Sequence, residues 1–230
     1  MPRFFADMLD STQAVIKAGD ARHILGPLRM KVGDEVPIRD GEQGFRAKII
    51  AVRRGQVVLE IMSREHLFER GSSRVRLAMG LIALKDMDDV IRFATELGVA
   101  DIHPVVSSRS NIKEISKARA RRWDGIAREA VKQCQRRSIP VIHEAEPLET
   151  LIDQRARTWK TRLVARQGAA RSIFSYRGDD VGVLIGPEGG FTPDELGRIE
   201  KAGFTPVSLG DITLRSVTAA ITAVGVLAQD

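Results

Sequence analysis

A short apolar run that leads through a glycine-rich loop into a well-capped helix is the feature that most constrains this fold. Residues 181–185 read VGVLI and residues 186–191 read GPEGGF. Thr192 with Glu195 then forms a capping box, and Pro193 suits the first helical position. In open α/β sheets, ligands bind at the carboxyl ends of strands. The segment therefore predicts an α/β domain with a ligand site at the loop, and a tight turn without a ligand is the alternative.

Strands and helices alternate through the rest of the second part of the chain. Hydrophobic periodicity predicts strands and helices over several further segments. The predicted strands are 76–84, 101–106, 162–165 and 207–209. One predicted helix buries Met87, Val90, Ile91, Ala94 and Leu97 and ends at Gly98, another covers 117–137, and the last buries Val217, Ala220, Ile221, Val224 and Leu227. This alternation predicts a mainly parallel sheet.

The first part of the chain is rich in short β-type runs. Residues 34–39, 45–52 and 56–62 are strand candidates, and Asp40-Gly41 is a turn signal between the first two. Closely spaced short strands predict a small barrel. We therefore expect a β domain over residues 1–70 and a second domain over 74–230, with the polar stretch 66–74 as the linker.

A second loop has the same setting as the glycine loop. Leu209 and Gly210 follow a short strand, and Arg215 lies where the last helix begins. Two neighbouring loops of this kind would form opposite walls of one pocket. A cation at a helix start opposes the helix dipole unless an anionic partner is present. Arg215 is therefore either a ligand-facing residue or an ordinary surface arginine.

Positive charge is concentrated on one predicted helix. Lys and Arg number 36 against 30 Asp and Glu, a net charge of +6. Within 117–137, one helical face carries Trp123, Ile126, Ala127, Ala130 and Cys134, and the opposite face carries Arg121, Arg128, Lys132 and Arg136. Such segregation suits a nucleic-acid backbone. A solvated helix face is the alternative.

The sequence gives little support for a membrane or secreted protein, for disulfide bonds or for a metal site. The sequence has no run of 18 or so apolar residues of the kind that spans a membrane, and no signal peptide is recognised. The single cysteine, Cys134, excludes an internal disulfide framework and a cysteine-based zinc cluster. The histidines at 23, 66, 103 and 143 show no metal spacing, so we expect structural roles and no metal. A cytoplasmic protein is the simplest interpretation.

The two loops together resemble those of a known family. Residues 184–192, LIGPEGGFT, with the pattern LGxxxLRxxTA over 209–219, resemble the SPOUT class of methyltransferases. The closer resemblance is to the RsmE family, which methylates N3 of a uridine in 16S ribosomal RNA. Residues 94–99, ATELGV, and residues 23–25 and 28–34 are similar to the same family, so the resemblance covers nearly the whole chain.

The resemblance implies a fold, a cofactor and partners. It implies a C-terminal SPOUT domain with a parallel sheet and a trefoil knot, a small N-terminal PUA-like barrel that grips RNA, and a homodimer. The methyl donor S-adenosylmethionine would lie in the knot, and the partner would be ribosomal RNA or the small ribosomal subunit. The implied donor-binding residues are Ile185, Gly186, Gly189, Gly190, Leu209, Gly210, Leu214 and Arg215. The implied RNA-binding residues are Arg3, His23, Arg29, Arg109, Arg121, Arg128, Lys132 and Arg136.

Two side chains are the candidates for chemistry. Arg215 would steady the target phosphate or the negative charge that develops on the base. Glu188 would accept a proton or, as the favoured role, accept a hydrogen bond that organises its loop. The chain departs from the family at Ile212, Thr213 and Val217, which replace an Arg, an Ile and a Glu. Two alternatives follow: an RNA-binding protein of this fold without methyl transfer, or a methyltransferase with a different RNA target.

Overall fold

The computed structural model describes residues 3–40, 43–65, 75–134, 136, 138–176 and 180–228. The chain forms two compact units. The first comprises residues 1–70 with 131–138, and the second comprises residues 71–130 with 139–230. The predicted linker 66–74, which includes His66, lies outside the described residues, as do Gly41 of the predicted turn and the last predicted helical residue, Arg137.

The first unit is a mainly antiparallel sheet with one helix. Its elements are β1 (Phe4–Phe5), β2 (Met8–Leu9), β3 (Gln13–Ile16), α1 (Ala18–Leu25), β4 (Glu35–Asp40), β5 (Gln43–Arg53) and β6 (Gln56–Glu65). The six strands run in the order β1-β4-β5-β6-β3-β2. The three strands predicted for this region are confirmed, each with slightly different ends.

Buried and exposed side chains alternate along these strands, and this alternation separates the apolar core from solvent. Val57 and Leu59 of β6 are buried, and they pack with Ile49 of β5 and Ile16 of β3 in one apolar cluster. Ile24 of α1 completes the cluster. One face of the sheet is therefore covered by its own alternate side chains and by about two turns of helix.

The second unit is an α/β sandwich around a parallel sheet. Its elements are β7 (Val75–Gly80), α2 (Leu84–Leu97), β8 (Asp101–Val106), α3 (Lys117–Cys134, of which residues 131–134 are counted with the first unit), β9 (Val141–Ile142), β10 (Glu146–Pro147), α4 (Leu148–Thr150, followed by helical turns to Thr158), β11 (Thr161–Ala165), β12 (Val181–Ile185), α5 (Pro193–Lys201), β13 (Thr205–Val207) and α6 (Ser216–Leu227). The sheet order is β10-β8-β7-β12-β11-β13, with β9 beside β8. The predicted parallel sheet is confirmed.

The central strand β12 has all five residues buried. Val183 packs in the layer that contains α2 and α6, whereas Leu184 packs against Trp159 and Phe204 in the other layer. Gly182 is required here because a Cβ atom would lie 1.8 Å from the Trp159 ring. A strand covered on both faces is typical of a parallel sheet, and it fixes the loop that follows at the carboxyl edge.

Several predicted boundaries were wrong. The strand predicted at 76–84 ends at Gly80, and Leu84 already belongs to α2. The strand predicted at 207–209 is 205–207 instead, so Leu209 lies in the loop. In α6, Val217 and Ile221 are only half-buried. That helix is apolar on nearly every side, so its periodicity does not identify the buried face.

The structural role expected for His103 agrees with its surroundings. It is 4 % exposed, and its ring stacks on His143 with 4.0 Å between centroids. Burial lowers the pKa of His103 to about 3. The side chain is therefore neutral over the physiological range and serves as part of the packing beside Trp159, 5.5 Å away.

Candidate active site

A cavity of about 340 Å³ opens at the carboxyl ends of β11 and β12. It lies between the glycine loop, residues 186–191, and the second loop, residues 208–215. Six of the predicted donor-binding residues line it: Ile185, Gly186, Gly190, Leu209, Gly210 and Leu214. Gly189 and Arg215 are not among the lining residues, although each directly adjoins one that is. The structure thus brings the two predicted loops together around one space.

The glycine loop is a tight turn with little room for side chains. The Gly190 N–H donates to the Pro187 carbonyl at 2.8 Å, and Gly190 has φ +66°, which favours glycine. A Cβ atom at Gly186 would lie 3.2 Å from the Gly190 Cα. At Gly80, the end of β7, a Cβ atom would lie 2.6 Å from the Pro187 ring. Gly80 is a requirement of the site that the sequence analysis missed.

A buried carboxylate joins the glycine loop to the segment after β8. The capping box predicted at Thr192 and Glu195 is confirmed, with Pro193 at the first helical position. Glu195 is 1 % exposed. Its Oε2 accepts the Thr192 N–H within the capping box, and its Oε1 accepts the Ser108 N–H at 2.7 Å. Burial acts to raise the pKa of Glu195, but the N–H groups of Ser108 and Thr192 bind the charged form and hold the pKa below its ordinary value.

Arg109 contacts the glycine loop directly. Its Nη1 donates to the Gly189 carbonyl at 2.6 Å and lies 3.5 Å from the Phe191 carbonyl. The aliphatic part of the side chain packs over Gly189, where a Cβ atom would lie 3.3 Å from Cδ. The family resemblance implies that Arg109 binds RNA. Its observed contacts are with the backbone of the cavity wall.

Glu188 lies on the cavity lining and is exposed. Its Oε1 accepts the backbone N–H of Ala83 at 3.3 Å. Ala83 precedes the first residue of α2, so the carboxylate lies at the positive end of that helix. This contact ties the glycine loop to α2.

The second loop is held by fewer contacts. Ser208 bonds both the N–H and the carbonyl of Gly210, and Gly210 has φ +136°. Thr213 accepts a hydrogen bond from Gln167 Nε2 at 2.6 Å. Ile212 is 73 % exposed although it lines the cavity. An apolar side chain is thus presented at the rim.

Arg215 occupies the N-cap position of α6 with extended backbone, and its side chain is exposed. Its carbonyl accepts the Ala219 N–H at 2.8 Å. Within the described residues, no carboxylate forms an ion pair with its guanidinium. The charge at the helix start therefore faces solvent beside the cavity.

A third wall of the cavity was not found from the sequence. Ala165, Arg166 and Gln167 line it from the carboxyl end of β11. The available signal was topological, because a strand placed next to β12 in a parallel sheet ends at the same edge. The order of strands, and hence this neighbour, cannot be read from periodicity.

The predicted RNA-binding residues of the first unit differ in accessibility. His23 and Arg29 are exposed. Arg3 forms an ion pair with Glu65 at 3.0 Å, and Lys132 forms one with Asp20 at 2.8 Å. Burial lowers the pKa of Arg136, whose Nη2 lies 3.4 Å from the Ser138 hydroxyl. Lys132 and Arg136 are thus partly engaged within the unit.

In the second unit, Arg121 and Arg128 of α3 are exposed. Three other side chains of the same helix contact one carboxylate. Asp88 of α2 accepts from Arg119 at 3.2 Å and from Arg122 at 2.9 Å. The Trp123 indole N–H donates to the same carboxylate at 3.0 Å. Part of the basic face therefore fixes α3 against α2.

Comparison with known proteins identifies the family to which this chain belongs. A model of the RNA methyltransferase domain matches residues 69–228. The ribosomal RNA small subunit methyltransferase E of Rickettsia conorii is 30% identical over 206 residues, which are 86% of this chain and 81% of that protein. None of the helices that the structure describes has the length and apolar character of a membrane span.

Two solved structures are similar over almost the whole chain. A Legionella pneumophila protein in complex with the cofactor SAM has a TM-score of 0.88 and 28% identity, covering 97% of this chain and 95% of that one. The ribosomal RNA small subunit methyltransferase E of Neisseria gonorrhoeae, bound to S-adenosyl methionine, has a TM-score of 0.85 and 26% identity over the same shares. The chain therefore belongs to the RNA methyltransferase family, within the group of the ribosomal RNA small subunit methyltransferases E.

Proposed function

We propose that the protein methylates N3 of a uridine in the 16S RNA of the small ribosomal subunit, with S-adenosylmethionine as methyl donor. The observation that carries the proposal is the cavity between the glycine loop and the second loop. The family and the two similar structures that hold this donor support it. The target, N3 of a uridine, follows from the resemblance to the RsmE family.

The cavity fits the donor in size and chemistry. About 340 Å³ lies within the range of small-molecule sites. Ile185, Phe191 and Leu214 offer apolar surface for the adenine ring, and the glycine backbones leave N–H and C=O groups accessible to its polar edges. The eight residues proposed to hold the donor remain those of the sequence analysis, with Gly189 and Arg215 acting from just outside the lining.

Methyl transfer places specific demands on the chain's residues. S-adenosylmethionine would supply a methyl group from its sulfonium sulfur: the S–C bond to the methyl group would break as the N–C bond forms, leaving a neutral thioether, and the uridine N3 proton would pass to water. The glycine loop and the second loop must align nitrogen, carbon and sulfur. The target base must be unpaired or flipped out to reach the cavity.

Arg215 and Glu188 have distinct roles in this proposal. Arg215 is exposed at the start of α6, where its charge lacks a described acidic partner. It would bind an RNA phosphate or the negative charge that develops on the uracil ring. The contact of Glu188 with the Ala83 N–H supports the loop-organising role rather than proton transfer.

The proposal extends to the architecture and the partners. Residues 1–70 would be a PUA-like RNA-binding barrel and residues 74–230 a SPOUT domain with a trefoil knot. In the sheet, β12 lies beside β7, and β11 lies between β12 and β13. This strand order is compatible with such a knot. The protein would act in the cytoplasm as a homodimer, with α6 at the interface because its apolar Val217 and Ile221 are only half-buried.

The RNA contacts proposed are those of the sequence analysis. His23, Arg29, Arg121 and Arg128 are accessible, and Arg109 has further N–H groups besides the one on Gly189. Arg3, Lys132 and Arg136 would contribute less, because each already has a partner within the first unit. Neutralising surface arginines should therefore lower RNA affinity unequally across this set.

The test uses small ribosomal subunits that lack the modification, with labelled S-adenosylmethionine and the whole protein. We expect label in 16S RNA, at N3 of one uridine after digestion. Label at another position would mean that the protein is a methyltransferase with a different RNA target. Donor binding by calorimetry without any label would support the RNA-binding alternative, and absence of donor binding would overturn the proposal.

A further inference from the structure

The segment 166–176, which follows β11, combines exposed arginines with an exposed aromatic ring. We refer to it as the arginine–aromatic loop. Arg166 and Arg171 are exposed, and the Phe174 side chain is 56 % exposed. Arg171 donates to the Tyr176 hydroxyl at 3.3 Å. An exposed phenylalanine close in sequence to these arginines has no explanation in the packing of the sheet.

The position of Phe174 is fixed rather than incidental. Its neighbour Ile173 is fully buried, and Ser172 accepts the Phe174 N–H at 3.3 Å as the cap of a short 3-10 turn, Ile173–Ser175. With the residue before it anchored in the core, the Phe174 ring is held outward. A ring fixed in this way can stack on a partner at little conformational cost.

The arginine–aromatic loop is bonded to the second loop of the donor cavity. The Ser208 N–H donates to the Arg171 carbonyl at 2.7 Å, and the Ile173 N–H donates to the Ser208 carbonyl at 3.0 Å. The Gln167 amide reaches Thr213 at 2.6 Å. The loop is therefore continuous with the wall of the cavity through three hydrogen bonds.

A second cavity, of about 620 Å³, extends along this loop. Arg166 and Gln167 line both this cavity and the donor cavity. Glu200 lies 2.9 Å from Arg166, while among the described residues no carboxylate pairs with Arg171. A groove in which Arg171 has no described carboxylate partner thus leads away from the site of methyl transfer.

We propose that the arginine–aromatic loop binds the single-stranded RNA next to the methylated base, with a base stacked on Phe174 and a phosphate on Arg171. Sequence-tolerant stacking on aromatic rings and arginine contacts to phosphate are how proteins hold unpaired RNA. The inference rests on the proposed function, because the flanking nucleotides matter only if the target base enters the neighbouring cavity.

The first experiment distinguishes stacking of an RNA base on Phe174 from a role of this ring in packing within the protein. Phe174→Ala should raise the KM for small subunits about fivefold to 100-fold, the effect of losing one stacked base. Phe174→Trp should restore the wild-type value, because a larger ring still stacks. Phe93→Ala, which removes a ring that is 38 % exposed on α2, is the matched control and should leave KM unchanged. An unchanged KM for Phe174→Ala would overturn the proposal.

The second experiment tests the phosphate contact. Arg171→Gln should weaken binding of a single-stranded RNA fragment and reduce the slope of log K against log salt concentration by about one. Arg157→Gln, which removes an exposed arginine elsewhere in the unit, should leave the slope unchanged. Equal slopes for wild type and Arg171→Gln would contradict the assignment.

Three controls keep this inference apart from the proposed function. The donor Kd of each variant, measured by calorimetry, should equal that of wild type. If wild type methylates and Phe174→Ala does so equally well, the RNA surface is wrong and the proposed function stands. If wild type binds no donor, the proposed function fails by itself. Sedimentation of Phe174→Ala must give the wild-type mass, since a change would assign the ring to a contact between protein copies instead.

Discussion

The two loops that enclose the cavity are held in very different ways. The glycine loop is fixed by the side chains of Arg109, on its carbonyls, and Glu195, at its end, and by the close approach of Pro187 to the backbone of Gly80. The second loop is anchored at its start, where Ser208 bonds the backbones of Arg171 and Ile173. Beyond Ser208 the loop has Gln167 on Thr213 and the local contact of Ser208 with Gly210, and Ile212 is largely exposed. We infer that the glycine loop is preorganised for the donor, whereas the second loop can adjust to the acceptor.

The largest effect is expected at Gly80. Gly80→Ala places a Cβ atom 2.6 Å from the Pro187 ring, so the glycine loop must shift. Overpacking of this kind costs about 1–3 kcal/mol, and calorimetry should show the donor Kd rising about fivefold to 100-fold. Gly125→Ala on α3, where no atom lies within 4 Å, is the control and should bind the donor normally. An unchanged Kd for Gly80→Ala would refute preorganisation.

Glu195→Gln tests the carboxylate that joins the loop to the segment after β8. The variant leaves a neutral amide where two N–H groups converge, so we expect the free energy of unfolding to fall by about 1–3 kcal/mol in urea at pH 7. The wild-type carboxyl has a lowered pKa, so its stabilisation is present above the ordinary value of 4.5 and disappears as pH falls through the folded pKa.

The difference in unfolding free energy between wild type and Glu195→Gln should accordingly shrink below about pH 4. A difference that stays constant from pH 7 to pH 3 would mean that the charge of Glu195 is not what stabilises the segment. Glu200→Gln, an exposed carboxylate of the same helix, provides the comparison and should change the unfolding free energy much less.

Arg109→Met keeps the aliphatic contact with Gly189 but removes the hydrogen bond to its carbonyl. We expect the donor Kd to rise about threefold to tenfold, in line with the loss of one exposed hydrogen bond. The same measurement on Arg157→Met controls for general loss of positive charge. A variant with normal donor affinity and weakened RNA binding would return Arg109 to the role assigned to it from the sequence.

The smallest effect is expected in the second loop. Thr213→Val removes the acceptor of the Gln167 amide with little change in volume. Because this bond is exposed, the donor Kd should change about twofold at most. A tenfold change would show that the second loop is as strictly positioned as the glycine loop, and the comparison between the two would fail.

Local features of this site were predictable from the sequence. The capping box at Thr192 and Glu195, the strand 181–185 and the tight turn at Gly190 all depend on residues within a few positions of one another. Their physics is contained in a short window, so a pattern identifies them.

The contacts that brace the site could not be predicted in the same way. Arg109 reaches Gly189 across 80 residues, and Gly80 meets Pro187 across a similar span. These residues become neighbours only through the order of the strands in the sheet. The hydrophobic periodicity of the sequence does not encode that order. For the same reason the resemblance, which implies that Arg109 binds RNA, does not reveal its contact with Gly189, and the wall at Arg166 and Gln167 was not predicted.

The bond between Glu195 and Ser108 also sets the order in which the site can be completed. The two residues are 87 positions apart, so this contact closes a long loop. A chain made from its amino end holds β8 and Ser108 well before Glu195 exists, and the second loop is made later still. The donor cavity is therefore complete only after the second loop has been made, and a nascent chain truncated before Glu195 should capture no donor.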